Sequence, residues 1–269
     1  MKARNKLVNY RLSLVLRTVA LSCATMFASA NAQDQSTKVD TNAPTPAQRA
    51  LALLKPAADK LSSAKAFTFK AHNMVEVPSP AGQTINYFFV TDVAVQRPNK
   101  LKSKKSGDGP AFDLYYNGKQ LTGVDEKLKL FARLDAPATL DELIPFAVEK
   151  ADIYFPYADV LFQDVYGSLT KDLTNACWVE KSAVDGVNCD HLAFASPGVE
   201  WQIWVGPEKE PLPRRLAVTY VSMERQPRFL VTFTDWNLKS SLPDKQFEYK
   251  KPEGAKQIAF RPLPQKTDK

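Results

Sequence analysis

The chain has 269 residues, 44% hydrophobic and 24% charged, a balance that excludes collagen-like, low-complexity and multi-span membrane classes. Its 36 Lys and Arg against 29 Asp and Glu give a formal charge of +7, but five of those bases and no acid lie in Met1–Ala32, leaving 31 against 29 beyond. So small an excess argues against nucleic-acid binding, and two His and three Cys leave few residues for metal clusters or histidine-based catalysis.

Residues 1–32 read as a secretory signal peptide: bases to Arg17, an apolar stretch from Thr18 to Ala28, and Ala30-Asn31-Ala32 before Gln33. That apolar run is 11 residues, against the roughly 20 a helix needs to span a bilayer. No transmembrane anchor is expected after processing. Cys23 follows Ala20-Leu21-Ser22 without the leucine usual upstream of a lipid-modified cysteine, so lipoprotein anchoring is not expected. Export to the periplasm puts Cys177 and Cys189 where thiols oxidise, which makes them a candidate disulfide. A two-residue turn at Asp185-Gly186 sets Cys177 opposite about Phe194 and Cys189 opposite Ser182, beyond the ~7 Å between Cα atoms that a disulfide allows. An irregular hairpin would restore the bridge, so the pairing stays open at this point.

Residues 33–46 are polar and contain Pro44 and Pro46, a flexible linker. From Ala47 to Lys65, Leu51, Leu54, Ala58 and Leu61 recur at helical spacing and mark an amphipathic helix that Pro56 would kink. The period then becomes two, with Phe67, Phe69 and Ala71 alternating with polar neighbours, and strands follow at Ile85–Gln96, Lys100–Ser106, Phe112–Tyr116, Lys119–Val124 and Lys127–Leu134. Asn117-Gly118 carries a type I′ hairpin signal. Lys100, Lys102 and Lys104 fall on one side of a strand and read as a solvated face.

At Thr139-Leu140-Asp141-Glu142 a capping box starts a helix with apolar Leu143, Ile144, Ala147 and Val148, and a further helical stretch follows Pro156. Strand patterns resume at Ala176–Ala183, Val187–Ala195, Val199–Val205, Arg215–Ser222 and Phe229–Trp236, closing near Phe247 and Tyr249. The order predicts a mainly β fold with helices (α+β): one domain over residues 47–261, with a helical insertion at 139–173 and a disordered tail at 262–269. A large antiparallel sheet of this kind curls, and the insertion can cover its concave face. Trp201 and Trp204 point to opposite sides of one strand, so one of them lies outside or beneath a helix.

Several stretches carry a resemblance: Leu61–Phe67, Arg97-Pro98-Asn99-Lys100-Leu101, Tyr115–Lys119, Val184–His191, Pro197–Trp204 and Pro211–Leu216. They resemble an uncharacterised bacterial family of predicted periplasmic proteins, over about Ala50 to Ile258. That family is similar to the LolA/LolB-like lipoprotein carriers and the mycobacterial lipid-binding lipoproteins. The resemblance implies a half-barrel of about eleven antiparallel strands with an N-terminal helix, and a helical lid over a hydrophobic cavity. It brings no catalytic motif and no cofactor.

The residues assign no metal site either. Cys189-Asp190-His191 splits across the two faces of a strand. The Ser-x-x-Lys spellings at Ser62–Lys65 and Ser168–Lys171 lack the companion motifs that would make a serine nucleophile. What remains is apolar: Phe67, Phe69, Phe88, Trp201 and Ile203 from strands, with Leu143, Ile144, Phe146, Ala147 and Phe162 from the insertion, are the candidate ligand-binding residues. The sequence reading is a non-catalytic periplasmic protein that binds a lipid, acyl chain or lipidated segment, with an envelope protein as a further candidate partner. The alternative is an interaction or scaffold module whose core is filled by its own side chains, docking near Trp204.

Overall fold

The computed structural model describes residues 43–79, 81–239 and 241–260. The signal peptide, Cys23, residues 33–42 of the linker and the 262–269 tail lie outside the described residues.

Thr45 begins α1 (Pro46–Ser63): its hydroxyl accepts from the Gln48 N–H while the Gln48 side chain accepts from the Thr45 N–H. Pro46 sits at the first position, where a missing N–H costs nothing. The stripe Ala50, Leu54, Ala57, Ala58 and Leu61 is buried, and each fully buried leucine contributes about 1.5–3 kcal/mol.

Six strands follow: β1 (Ala66–Pro78), β2 (Thr84–Gln96), β3 (Lys100–Gly107), β4 (Asp113–Tyr116), β5 (Gln120–Asp125) and β6 (Leu130–Asp135). The insertion comprises α2 (Leu140–Ala151), a 3-10 turn at Ala158–Val160 and α3 (Val165–Thr170). Then come β7 (Asn175–Val184), β8 (Val187–Ser196), β9 (Val199–Val205), β10 (Pro213–Thr219), β11 (Arg228–Asn237), a 3-10 turn at Asp244–Phe247 and β12 (Lys256–Ile258). All twelve strands form one curved, unclosed sheet in the order β12-β6-β5-β4-β3-β2-β1-β11-β10-β9-β8-β7. Two meanders, β1 to β6 and β7 to β11, therefore meet at the β1–β11 pair. Only the last strand departs from antiparallel pairing: β12 runs parallel to β6.

Local chemistry accounts for three departures from expectation. Phe247 and Tyr249 do not close the sheet as a strand, because Pro243 opens a 3-10 turn there and Pro252 follows; the closing strand is β12. At the Asn117-Gly118 hairpin only Gly118 has positive φ, +88°, whereas a type I′ turn needs it at both central residues, and Asn117 Oδ1 accepts from the N–H groups of Lys119 and Gln120. At the start of α2, Thr139 Oγ1 accepts from the Glu142 N–H as expected, but the Glu142 carboxylate accepts from the Thr139 hydroxyl at 2.9 Å instead of reaching the backbone.

The disulfide is not formed: Cys177 and Cys189 are free. Cys189 pairs with Ser182, as the Asp185-Gly186 turn requires, and Cys177 pairs with Ala193. Four strand residues thus separate their positions along β8, about 13 Å, well beyond reach of a bridge. Burial raises the Cys189 thiol pKa, which keeps that sulfur protonated and unreactive.

Candidate functional site

Strand alternation divides the sheet into two faces, and Phe67, Phe69, Ala71, Asn73 and Val75 of β1 share the concave one. Across the hydrogen-bonded register, one line of residues on that face runs Phe194, Trp201, Val218, Phe229, Val75, Tyr87 through six strands. Phe194, Trp201 and Val218 are buried, whereas Phe229, Val75 and Tyr87 are half-buried. Beyond them lie Val77 and Ile85, 41% and 42% exposed. The β11–β1–β2 end of the concavity is therefore an apolar mouth.

One step further in, the line is Leu192, Ile203, Leu216, Val231, Asn73, Phe89. Asn73 is its one polar member and is 3% exposed. Its Nδ2 donates to the Ala71 and Phe89 carbonyls at 3.0 and 3.2 Å and contacts Thr91 Oγ1 at 3.2 Å. Two carbonyls accept only, so they fix which end of the amide is nitrogen. Asn73 Oδ1 accepts no hydrogen bond among the described residues. Leaving such a group unmet costs about 1–3 kcal/mol.

The polar strip continues inward. Ser103 Oγ lies 3.0 Å from the Tyr157 hydroxyl, which also bonds Thr91. Burial raises the Tyr157 phenol far above its ordinary range, so the hydroxyl stays protonated. Lys105, paired with Thr91 across β2 and β3, lays its ammonium 4.4 Å from the centre of the Phe89 ring and donates to the Pro110 carbonyl. Burial lowers its pKa, with Asp108 opposing.

Deeper still the concave face is filled by the protein's own rings. Phe69 sits 4.6 Å from Trp236, 5.3 Å from Tyr157 and 5.7 Å from Phe233. The insertion is latched over this end by Arg97, whose guanidinium donates to the carbonyls of Leu161, Leu61 and Val160 and stands 5.2 Å over Phe67. Gln163 and Val165 bind the Ser62 carbonyl and hydroxyl, and the Tyr116 hydroxyl donates to the Pro137 carbonyl at 2.6 Å.

Of the residues expected from sequence, Phe67, Phe69, Leu143, Ile144, Ala147, Trp201 and Ile203 lie together in one buried cluster, with Phe146 and Phe162 packed at its margin. Phe88 does not join them. It pairs with Met74 on the opposite face and is 59% exposed, because its place in the alternation is one residue out of phase with the inward positions. Trp204 also faces outward, stacked 4.1 Å from the His191 ring, with its Nε1 donating to Ser182 Oγ. Asp190 turns inward to accept from Trp178 Nε1, while His191 meets Gln202 on the outside. No group of three or more metal-ligating side chains occurs among the described residues. Both Ser-x-x-Lys serines are engaged structurally: Ser62 accepts from the Val165 N–H and Ser168 donates to Asp159.

Sequence reasoning passed over the mouth residues Val75, Tyr87 and Phe89 and the strip Asn73, Thr91, Ser103 and Tyr157. Period-two alternation from Phe67 onward reaches Asn73 and Val75, and that was the available signal; the partners on β2 and β3 needed the register.

Residues 50–261 match a family described as "Predicted periplasmic protein (DUF2092)". The chain belongs to this family. Its description puts the DUF2092 chain in the periplasm, and no helix among the described residues is long and apolar enough to cross a membrane. Among solved structures, lipoprotein LppX of Mycobacterium tuberculosis is similar at 13% identity and a TM-score of 0.45, covering 72% of this chain and 98% of that one. LprF from Mycobacterium bovis shares 11% identity with a TM-score of 0.43, covering 74% and 98%. A LolA superfamily protein from Nitrosomonas europaea shares 12% with a TM-score of 0.38, covering 74% and 97%. No curated protein matches the chain.

Proposed function

We propose that this DUF2092 protein binds a lipid, acyl chain or lipidated segment without catalysing a reaction, and that the chain enters at the β11–β1–β2 mouth. The observation that carries this reading is the continuity of apolar residues from exposed Val77 and Ile85, through half-buried Phe229, Val75 and Tyr87, onto the buried concave face. A soluble protein rarely leaves such a run open to water without use, and each methylene buried there contributes roughly 0.8 kcal/mol.

The reading differs in place from the sequence expectation. Leu143, Ile144 and Ala147 are packed against the protein's own core, so a chain reaching them must displace the insertion, whereas the mouth needs no such movement. The filled inner half also favours a second reading, an envelope scaffold that takes no ligand.

Titration with a pyrene-labelled fatty acid separates the two. Val75→Arg puts a charge in the mouth and is expected to weaken binding at least tenfold, roughly 1.4 kcal/mol or more. Phe88→Arg, on the outer face, is expected to leave it unchanged. Equal binding by Val75→Arg and wild type would place the ligand elsewhere, and no binding by any of the three would favour the scaffold.

A further inference from the structure

Asn73 stands alone as a polar residue in an otherwise apolar line, one step inside the mouth. Its nitrogen is committed to the Ala71 and Phe89 carbonyls, which cannot exchange roles with a donor. The Thr91 hydroxyl beside it is shared with Tyr157. The Oδ1 atom is left as a buried acceptor that receives nothing from the described residues. A hydrocarbon chain passing this point would keep that acceptor unmet, and so would an ester or ether, because neither carries a donor.

Lys105, the cross-strand partner of Thr91, holds its ammonium over the Phe89 ring and donates to the Pro110 carbonyl. A cation and a bare acceptor thus both border Phe89, the β2 partner of Asn73. Asp108 is the carboxylate that bears on Lys105, and its Oδ2 is already bonded to the Phe88 N–H.

We propose that the ligand is an acyl amphiphile with a hydroxyl or amide N–H next to its anionic head, donating to Asn73 Oδ1 while Lys105 faces the head. This rests on the acyl-binding reading above and names the ligand class within it. Ester-linked and unsubstituted chains are disfavoured at the same site, since they leave the acceptor buried and unpaired.

Two matched pairs of probes test this by displacement of pyrene-labelled fatty acid from the wild-type protein: 3-hydroxytetradecanoic against tetradecanoic acid, and N-tetradecanoylglycine against its N-methyl counterpart, N-tetradecanoylsarcosine. In at least one pair the donor-bearing member is expected to displace the label at about tenfold lower concentration, the scale of one buried hydrogen bond. The pair that shows the gap distinguishes a hydroxyl from an amide donor. In Asn73→Leu the gap closes. Equal displacement within both pairs by wild type overturns the inference and leaves acyl binding standing, and so does a gap that persists in Asn73→Leu. If neither the label nor any probe binds wild type, the acyl-binding reading falls and takes this inference with it. The wild-type comparison decides the matter even if Asn73→Leu fails to fold.

Discussion

Glu76, near the outer end of β1, accepts from the Arg228 guanidinium at 2.9 and 3.2 Å and from the Arg228 backbone N–H at 3.0 Å. These bonds hold its carboxyl below the ordinary 4.5. A carboxylate with a depressed folded-state pKa lends stability that is present above its unfolded value and lost as pH falls through the folded one. Glu76→Gln is therefore expected to lower Tm by about 2–4 °C at pH 7, the effect of roughly 1 kcal/mol in a domain of this size. Melting curves at about pH 3 should show the two proteins converging; a gap that is unchanged at low pH would mean that Gln fails for reasons of fit. At the same scale, Phe88 and Phe89 show how far the sequence speaks. The pair Phe88-Phe89 must send one ring to each face, but which ring goes inward depends on register with β1, and composition carries no trace of that. Asn73 pairs with Phe89 and Met74 with Phe88, so the inward ring is Phe89.

Among the elements, those with a chemical start signal were the most legible. The Thr139 cap and the apolar stripe of α1 follow from the residue types alone, and the Asp185-Gly186 turn sets the β7–β8 register, with Asp185 at φ +49° and Gly186 at φ +78°; the Thr45 cap lay in what read as linker. The C-terminal segment was not legible, because its partners are distant in sequence. Lys100 bonds Asp244, and Tyr249 packs 5.8 Å from Tyr115 and 5.4 Å from Phe131. The strand face carrying Lys100 and Lys102, expected to be open to solvent, is thus partly covered by this strap. Helix α1 gives a quantitative check. Leu54 is fully buried while Lys55 beside it makes an exposed ion pair with Asp59. Leu54→Ala is expected to cost about 2–5 kcal/mol and to lower the urea midpoint accordingly, whereas Lys55→Ala should barely move it. Similar midpoints for the two variants would mean that α1 does not anchor the β7 side of the sheet.

Taken whole, the molecule is one sheet used on both sides. The concave side holds the main core under α1 and the insertion, and the convex side of β5 and β6 holds a smaller cluster of Val124, Phe131 and Ala255 with Tyr115 and Tyr249. The mainly β class, the curled antiparallel sheet and the insertion were readable, since alternation, turn signals and the Thr139 cap agree along the chain. The parallel twelfth strand was not, nor was the division of the concave face into a filled inner half and an open apolar end, which depends on how Phe69, Tyr157, Phe233 and Trp236 pack together. The central claim is that this open end holds a chain in the periplasm. Purification of the processed protein from periplasm under gentle conditions, followed by comparison of its native and denatured masses, tests that claim most directly. A mass excess that organic solvent releases as an acyl amphiphile is the predicted result. A native mass equal to the denatured one, together with no uptake of added lipids, would contradict it.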